Sequence, residues 1–197
     1  MNSIQVRKAK HKDIESIAEL IYFTEVHPQE VWGGESRLES LDNLSELIGM
    51  DGSRYNYKYI RVAEKNNEII GAMITIPYDE LDSLSLKTNM KTVKYYNNII
   101  EKIKFLLGRL AYVLLKECKN ENLYIANIAT SKSARGLGVG KLLMAYAEKE
   151  AKLYRYNGIS LLAKDENVSK FYEKLNYRIN LDKVLFGERI IRMAKFV

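Results

Sequence analysis

The stretch "SKSARGLGVGKLLM" constrains the fold more than any other part of this 197-residue chain. Three glycines alternate at Gly136, Gly138 and Gly140, directly after the strand-like run "LYIANIAT" and directly before an amphipathic pattern that continues to about residue 155. The sequence therefore predicts a strand, a glycine-rich turn and a helix in immediate succession. Because the first N–H groups of a helix lack intrahelical acceptors and the helix dipole is positive there, this arrangement predicts an anion site.

The spacing of the glycines excludes two common phosphate loops. A dinucleotide-binding fingerprint needs glycine at its first, third and sixth positions. Counted from Gly136 or Gly138, the sixth position is instead Lys141 or Leu143. A Walker loop that ended at Lys141 would need serine or threonine where the chain has Leu142. Basic residues on both sides of the glycines still favour a pyrophosphate group as the anion.

Composition excludes some classes of protein and leaves others open. The formal net charge of +6 agrees with a solvated lysine-rich surface, a phosphate-bearing ligand or, least expected, a nucleic-acid partner. The single cysteine, Cys118, excludes an intramolecular disulfide, and with only His11 and His27 beside it no zinc site is expected. Apolar runs are too short to cross a bilayer, and the N-terminal segment does not resemble a signal peptide. We therefore expect a cytoplasmic protein with no membrane partner.

The first quarter of the chain predicts strand, helix, loop and helix. The strand is "SIQVRKA", the first helix begins after Asp13, the loop contains Pro28, and the second helix runs to about Ile48. A hairpin follows, with strands over 59–63 and 69–76 and a polar turn at "KNN".

A segment over about 78–121 separates this hairpin from the next strand. It is irregular at first and then predicts a helix near 92–117, whose apolar residues cover much of its circumference. Such a helix is expected to be buried against another element. It could be a lid or wall of a substrate pocket, or it could serve packing alone.

The last third alternates strands and helices. After the glycine turn and its helix come the strand "GISLLAK", the short helix "NVSKFYEKL" and a closing hairpin around Gly187. The whole order predicts an α/β fold with α and β mixed: one mixed sheet covered by helices on both faces.

The glycine stretch resembles the acetyl-coenzyme-A loop of the Gcn5-related N-acetyltransferases, the GNAT superfamily. That family's pattern is Arg or Gln, two residues, Gly, one residue, and Gly or Ala; here it reads Arg135-Gly136-Leu137-Gly138-Val139-Gly140. "YIANIATSKSARGLGVGKLLM" is similar to the family's fourth strand, turn and third helix, and "NVSKFYEKLNY" is similar to its late helix. The segment 78–121 resembles a helical insertion between the third and fourth strands of some bacterial members.

The resemblance implies a fold and a reaction. The fold would be a single acyl-CoA N-acyltransferase domain over 1–197, with a mostly antiparallel mixed sheet of about seven strands. The reaction would be transfer of acetyl from acetyl-CoA to a primary amine by direct attack in a ternary complex, without a metal. Tyr172 would be the general acid that protonates the leaving thiolate, since a phenol is protonated at neutral pH. The resemblance assigns coenzyme binding to these residues: Ile128, Ala129, Thr130, Arg135, Gly136, Leu137, Gly138, Val139, Gly140, Lys141 and Asn167.

The chain departs from the family pattern at three places. Asn176 stands where the late helix ends on glycine, and asparagine tolerates the left-handed conformation there. Asp165 stands where many members have a coenzyme-contacting asparagine, so Asn167, two residues on, is the substitute. The strand "IANIA" has no carboxylate where several members carry a general base. Acids in loops are the remaining candidates for that base: Glu25, Glu30, Glu35, Asp79 and Glu80.

The acceptor and the partners stay open at this level. A small-molecule or peptide amine is expected, and Trp32, Tyr95 and Tyr96 could form an aromatic cleft for it together with these acids. The terminal hairpin offers a sheet edge for a homodimer. The alternative to an enzyme is an acetyl-CoA-binding sensor or interaction module without catalysis. A covalent acyl-enzyme is not expected, because Cys118 lies far along the chain from the loop.

Overall fold

The strands form one mixed sheet. The computed structural model describes residues 3–119, 121–185 and 188–197, and in these it has seven strands. Their order across the sheet is β1-β2-β3-β4-β5-β7-β6, and every neighbouring pair is antiparallel except β4 and β5. This confirms the predicted mixed, mostly antiparallel sheet. The strands are β1 (Gln5–Lys8), β2 (Ile60–Lys65), β3 (Glu68–Pro77), β4 (Asn122–Thr130), β5 (Gly158–Ala163), β6 (Arg178–Leu185) and β7 (Glu188–Phe196).

Helices cover both faces of the sheet. Buried side chains of α1 to α4 pack against one face, which includes Val62 and Ile74, and those of α6 and α7 pack against the face of Ala63 and Met73. Since neighbours along a strand point to opposite faces, two separate hydrophobic clusters result. The helices are α1 (Ile14–Tyr22), α2 (Pro28–Trp32), α3 (Arg37–Gly49), α4 (Tyr78–Thr92), α5 (Ile99–Leu115), α6 (Val139–Leu153) and α7 (Glu166–Glu173).

The turn between β2 and β3 forms where the sequence predicts it. Asn66 and Asn67 have φ of 53° and 65°, the positive values that a two-residue type I′ turn requires at both central positions. Asparagine reaches this region more easily than most residues, so the polar "KNN" sequence fixes the hairpin and its register.

A bulge in β4 opens the sheet on one side. Ile74 pairs with Asn127 while Thr75 pairs with Ile125, so Ala126 is an extra residue in β4. The parallel pairing of β4 with β5 covers only 122–125 and 158–161. Past these residues β4 continues to Thr130 alongside β3, and β5 continues alongside β7. The two parallel strands therefore separate and leave a wedge-shaped opening between them.

Helix α4 occupies a segment that the sequence pattern left irregular. Its buried positions are Leu81, Leu84, Thr88 and Thr92, so apolar periodicity stops halfway along. The two threonines satisfy their hydroxyls locally: Thr88 Oγ1 donates to the Leu84 carbonyl at 2.7 Å and Thr92 Oγ1 to the Thr88 carbonyl at 2.9 Å. A polar residue whose hydroxyl bonds its own helix can be buried, which a hydrophobic pattern does not register.

The expected burial of the next helix is wrong for most of its surface. In α5 the buried residues are Phe105 and Ala111, while eight other apolar side chains are between 41% and 68% exposed. The helix contacts α2 and β7 along one side, and the described chain does not cover the other. An apolar pattern shows that a helix has a face to bury, but not that the same chain supplies the cover.

The terminal hairpin places β6 at the edge of the sheet. Its strands pair antiparallel as expected, while the predicted turn at Gly187 lies outside the described residues. No helix in the described ranges combines the length and apolar character that a membrane crossing needs.

Candidate active site

The glycine turn leads into the N-terminus of a helix, where the first backbone amides have no acceptor within the helix. Gly136 and Gly138 have φ of 79° and 74°, a left-handed conformation that glycine adopts without steric cost. Helix α6 starts after Gly138, and the amide of Leu142 donates to the Gly138 carbonyl at 3.0 Å. The amides of Val139, Gly140 and Lys141 precede this bond, at the positive end of the helix dipole. The structure therefore places three backbone amides at the position where the sequence predicts an anion site.

Close packing on β3 holds the turn in place. The amide of Ser131 donates to the Ile70 carbonyl at 2.9 Å. A Cβ on Gly71 would lie 2.7 Å from Cγ1 of Val139, so only glycine lets the start of α6 approach the strand this closely. Sequence reasoning missed Gly71, although an isolated glycine inside a strand is a recognised sign of close backbone approach.

A cavity of about 820 Å³ fills the opening between β4 and β5. It brings together all the predicted site residues except Leu137, which is 47% exposed and lies outside the lining. The predicted residues that line it are Ile128, Ala129, Thr130, Arg135, Gly136, Gly138, Val139, Gly140, Lys141, Asn167 and Tyr172. One continuous space thus connects the strand, the glycine turn and α7.

One wall of the cavity is the free margin of β4. Ile128, Ala129 and Thr130 pair with β3 but lie beyond the pairing with β5. A strand directs its backbone groups alternately to its two sides, so the groups that would pair with β5 border the cavity instead. An extended ligand can add to this margin as a further strand would.

Tyr172 lies in the opposite wall and is 4% exposed. Its ring packs edge-on against Phe171, with ring centroids 5.2 Å apart, and it also contacts Tyr177. Burial raises the pKa of Tyr172 to about 12, because the phenolate would lose its hydration. The hydroxyl is therefore a proton donor at neutral pH.

The two ends of α7 explain two of the departures from the family pattern. Asp165 caps the helix by accepting the amide of Val168 at 2.8 Å, and exposed Asn167 lies in the first turn on the cavity. At the other end Asn176 has φ of 66°, and the amide of Tyr177 donates to the carbonyl of Tyr172 at 3.1 Å. This is a Schellman cap, so asparagine does replace the expected glycine.

Of the five candidate acids, only Glu25 lines this cavity in the described structure. It follows Thr24 in the segment after α1, on the side of the cavity formed by that helix. Asn127 Nδ2 donates to Thr24 Oγ1 at 3.3 Å, which ties the bulge in β4 to this segment. Sequence reasoning did not single out Asn127, although a polar residue within an otherwise apolar strand was a visible signal.

The other four acids do not line the described cavity, and two of them accept hydrogen bonds from other side chains. Glu80 accepts a hydrogen bond from the hydroxyl of Tyr59, and Glu35 Oε1 accepts one from Asn97 at 3.3 Å. Neither Glu30 nor Asp79 belongs to the lining of the described cavity.

The aromatic cleft expected from Trp32, Tyr95 and Tyr96 is not formed. Trp32 is fully buried, and the hydroxyl of Tyr96 donates to the Glu30 carbonyl at 2.7 Å. The hydroxyl of Tyr95 donates to Glu46 at 2.7 Å. These side chains join α2 and α3 to the segment before α5, and the described cavity does not include them.

Charge is unevenly distributed around the cavity. Arg135, Lys141 and Lys164 are the basic residues of its lining, and Glu25 and Asp165 are the acidic ones. Asp165 is the cap of α7, and Glu25 is the carboxylate on the α1 side of the cavity. Among the residues described, no cluster of three or more His, Cys, Asp or Glu side chains could hold a metal ion.

A family model of the acetyltransferase (GNAT) domain matches residues 56–179. The chain belongs to the GNAT family. It is therefore an acetyltransferase, and acetyl-CoA is the acyl donor that GNAT enzymes generally use. The matched region contains β4, the glycine turn, α6, β5 and α7, which supply most of the cavity lining, whereas the lining residues 20 and 23–25 lie outside it.

Solved structures show the same fold as this GNAT chain. An N-acetyltransferase from Staphylococcus aureus Mu50 has a TM-score of 0.73 at 21% identity, covering 97% of this chain and 100% of the other. The polyamine N-acetyltransferase of Drosophila melanogaster has a TM-score of 0.63 at 12% identity, covering 99% and 100%. A search of curated proteins finds no match.

Proposed function

We propose that this GNAT protein transfers acetyl from acetyl-CoA to a primary amine by direct attack in a ternary complex. The single observation that carries the proposal is the shared cavity. It combines a helix N-terminus for phosphate, an unpaired strand margin for an extended chain, a protonated tyrosine and the carboxylate of Glu25 on the α1 side.

The glycine turn would bind the pyrophosphate of the coenzyme. The amides of Val139, Gly140 and Lys141 would supply hydrogen-bond donors, and the side chains of Arg135 and Lys141 would add positive charge at the cavity. A Cβ on Gly136 or Gly138 would meet no atom of the described chain within 4 Å, so the space next to these backbones is open to a ligand. Loop chemistry and shape both fit a phosphate group.

The free margin of β4 would hold the pantetheine arm. This arm carries amide groups, which can pair with the backbone of Ile128, Ala129 and Thr130 as another strand would. A backbone N–H of the same segment would polarise the thioester carbonyl and stabilise the negative charge that develops on its oxygen. Asn167, at the edge of the cavity, would add a side-chain contact to the coenzyme.

Tyr172 would act as the general acid. Its proton must pass to a thiolate whose conjugate acid has an ordinary pKa of about 8.5. Because burial raises the pKa of Tyr172 to about 12, complete transfer is uphill in the free protein. The phenol therefore helps most as a hydrogen-bond donor to sulfur while negative charge develops there, which is where transition-state stabilisation counts.

Glu25 would receive the acceptor amine. A primary amine is mostly an ammonium ion at neutral pH and must lose a proton before it attacks. A carboxylate at the α1 side of the cavity attracts the ammonium ion and can take its proton directly or through water. Two solved structures with the same fold are named for amine substrates, which favours an amine here. They are the Drosophila polyamine enzyme and a mosquito arylalkylamine N-acetyltransferase-like protein.

Direct transfer is favoured over a cysteine intermediate. Cys118 is 2% exposed and outside the cavity lining of the described structure, and burial raises the pKa of its thiol to about 12. Such a thiol supplies almost no thiolate at neutral pH.

The test is release of free coenzyme A thiol from acetyl-CoA across a library of small-molecule and peptide amines. We expect release only with an acceptor present, and Glu25→Gln should raise KM for cationic acceptors while acetyl-CoA affinity is unchanged. Glu35→Gln, outside the cavity lining, is the matched control. Tight binding of acetyl-CoA without thiol release for any amine would contradict transfer and favour the sensor alternative.

A further inference from the structure

Helix α5 carries a continuous apolar surface that the described chain does not cover. We call it the α5 stripe, and its eight residues are 41% to 68% exposed. At 3.6 residues per turn they fall within an arc of about 140°, and Phe105 lies on the opposite side, against the protein. The stripe consists of Ile99, Ile100, Ile103, Leu106, Leu107, Leu110, Val113 and Leu114.

The charged residues of α5 lie outside the stripe. Glu101, Lys102, Lys104 and Arg109 all fall at least about 90° from its centre on the helical wheel. A partner that covers only the stripe therefore leaves the charged side chains of α5 outside the contact. Unbroken apolar surfaces of this kind mark interaction sites on soluble proteins.

The apolar residues of the stripe have the same spacing whether α5 is read from its N-terminus or from its C-terminus. From its midpoint between Leu106 and Leu107, apolar residues occur at equal distances on both sides, from Leu106 with Leu107 out to Ile99 with Leu114. Two copies of α5 related by a two-fold axis perpendicular to the helices run antiparallel, so apolar residues of one would meet apolar residues of the other along the whole length. A partner of another kind would not require this symmetry.

The size of the stripe also suits a dimer. Eight aliphatic side chains, each about half exposed, form a surface of the same order as the area that each partner contributes to a standard interface, which is roughly 800 Å². Fully buried interface centres are apolar and depleted in charge, as the stripe is.

We propose that this protein forms a two-fold homodimer through the α5 stripe, with the two α5 helices antiparallel. The coenzyme cavity lies elsewhere, since none of the stripe residues belongs to its lining, so the proposal is independent of the proposed function. The proposed dimer contact is therefore the α5 stripe and not the terminal hairpin. The edge strand β6 of that hairpin is the competing dimer surface.

The first test is sedimentation velocity of the full chain over a range of concentrations. We expect a dimer for the wild type, and Leu107→Glu should weaken dimerisation at least 100-fold, because two carboxylates would be buried near the axis. Leu86→Glu on α4, with a comparable exposure of 62%, is the matched control and should stay dimeric. An unchanged melting temperature and acetyl-CoA affinity would show that the variant is folded.

Three results would overturn the proposal. The wild type could be monomeric at every concentration, or Leu107→Glu could leave the dimer intact. Alternatively, Val184→Glu in β6 could dissociate it, which would assign the contact to the hairpin. A monomer that instead floats with phosphatidylglycerol vesicles, and loses that binding in Leu107→Glu, would assign the stripe to lipid.

The second test uses cysteine cross-linking with a short bis-maleimide. Leu106→Cys lies next to the proposed axis and should link to its own copy, whereas the two copies of Ile99→Cys would be about 22 Å apart, at 1.5 Å per residue. A mixture of Ile99→Cys with Leu114→Cys should link across the dimer. Wild type, with Cys118 buried, is the background control. Efficient self-linking of Ile99→Cys would contradict the antiparallel arrangement.

Discussion

The glycine turn with α6 and the segment of α4 and α5 are both helical regions next to β4, yet they use apolar residues differently. In α6 the apolar side chains Leu143, Met144 and Ala147 are at most 1% exposed against the sheet. In α5 the longest apolar pattern of the chain is mostly exposed. The comparison teaches that periodicity fixes which residues share a face, while the position of the neighbouring elements decides whether that face is covered.

The largest expected effect is a loss of turnover at the cavity beside the glycine turn and α6. Tyr172→Phe removes the proposed proton donor but keeps the ring packing, so turnover should fall about 10²- to 10⁴-fold. Acetyl-CoA affinity, measured by calorimetry, should change little. Because burial raises the pKa of Tyr172 to about 12, tyrosine ionisation should not limit the wild-type rate below about pH 10.

Tyr154→Phe, an exposed tyrosine at the end of α6, is the matched control for that experiment. Turnover of Tyr172→Phe within a factor of two of the wild type would remove the residue from the mechanism.

The second effect tests how the α4 and α5 segment is anchored. Glu117 follows α5 and forms a buried bidentate pair with Arg54, at 3.0 and 2.8 Å, while the hydroxyl of Tyr124 donates to it at 2.7 Å. Glu117→Gln leaves the Arg54 charge buried without a counter-ion and should cost about 3 to 5 kcal/mol in the free energy of unfolding. Chemical denaturation measures it.

The same pair gives a pH dependence of known sign. Arg54 and the hydrogen bond from Tyr124 hold the pKa of Glu117 below its usual value, although burial alone would raise it. Its contribution to stability is therefore present above the pKa of the unfolded chain and is lost as the pH falls through the lower folded pKa. Glu101→Gln, on exposed α5 surface, should be neutral at every pH. Equal stability of the two variants would show that Glu117 does not anchor the segment.

The smallest expected effects are the stability changes caused by replacing one glycine in each region with alanine. Gly138→Ala forces a side chain into the left-handed conformation and should cost about 1 to 2 kcal/mol of stability, with weaker acetyl-CoA binding. In α5, Gly108→Ala places its Cβ in open space and should instead stabilise the helix by about 0.5 to 1 kcal/mol. Thermal unfolding of both variants, with acetyl-CoA titration, measures the contrast. The same sign for both would mean that the glycine turn carries no special conformation.

Much of the fold could be predicted because its signals are local. The strand, turn and helix around Gly138, the asparagine turn before β3 and the cap at Asn176 each depend on a few neighbouring residues with restricted φ. The short helix α2 and most of α4 were not predicted, since one is only a single turn beginning at a proline and the other buries threonines.

The site was predictable in part for the same reason. Its glycine turn and Tyr172 belong to sequence motifs, whereas Glu25 and Asn127 are brought to the cavity by contacts between segments about 100 residues apart. Nothing in the sequence near Glu25 separates it from the four acids that lie elsewhere.

The sequence by itself determined the glycine turn, the helix that follows it and the order of strands and helices, because backbone conformation and hydrophobic period are properties of short segments. Only the tertiary structure decided that β4 separates from β5 after the bulge at Ala126, that Glu25 borders the resulting cavity, and that the α5 stripe is exposed. Each of these depends on which distant segments lie side by side, and a pattern along one segment contains no information about what lies across from it.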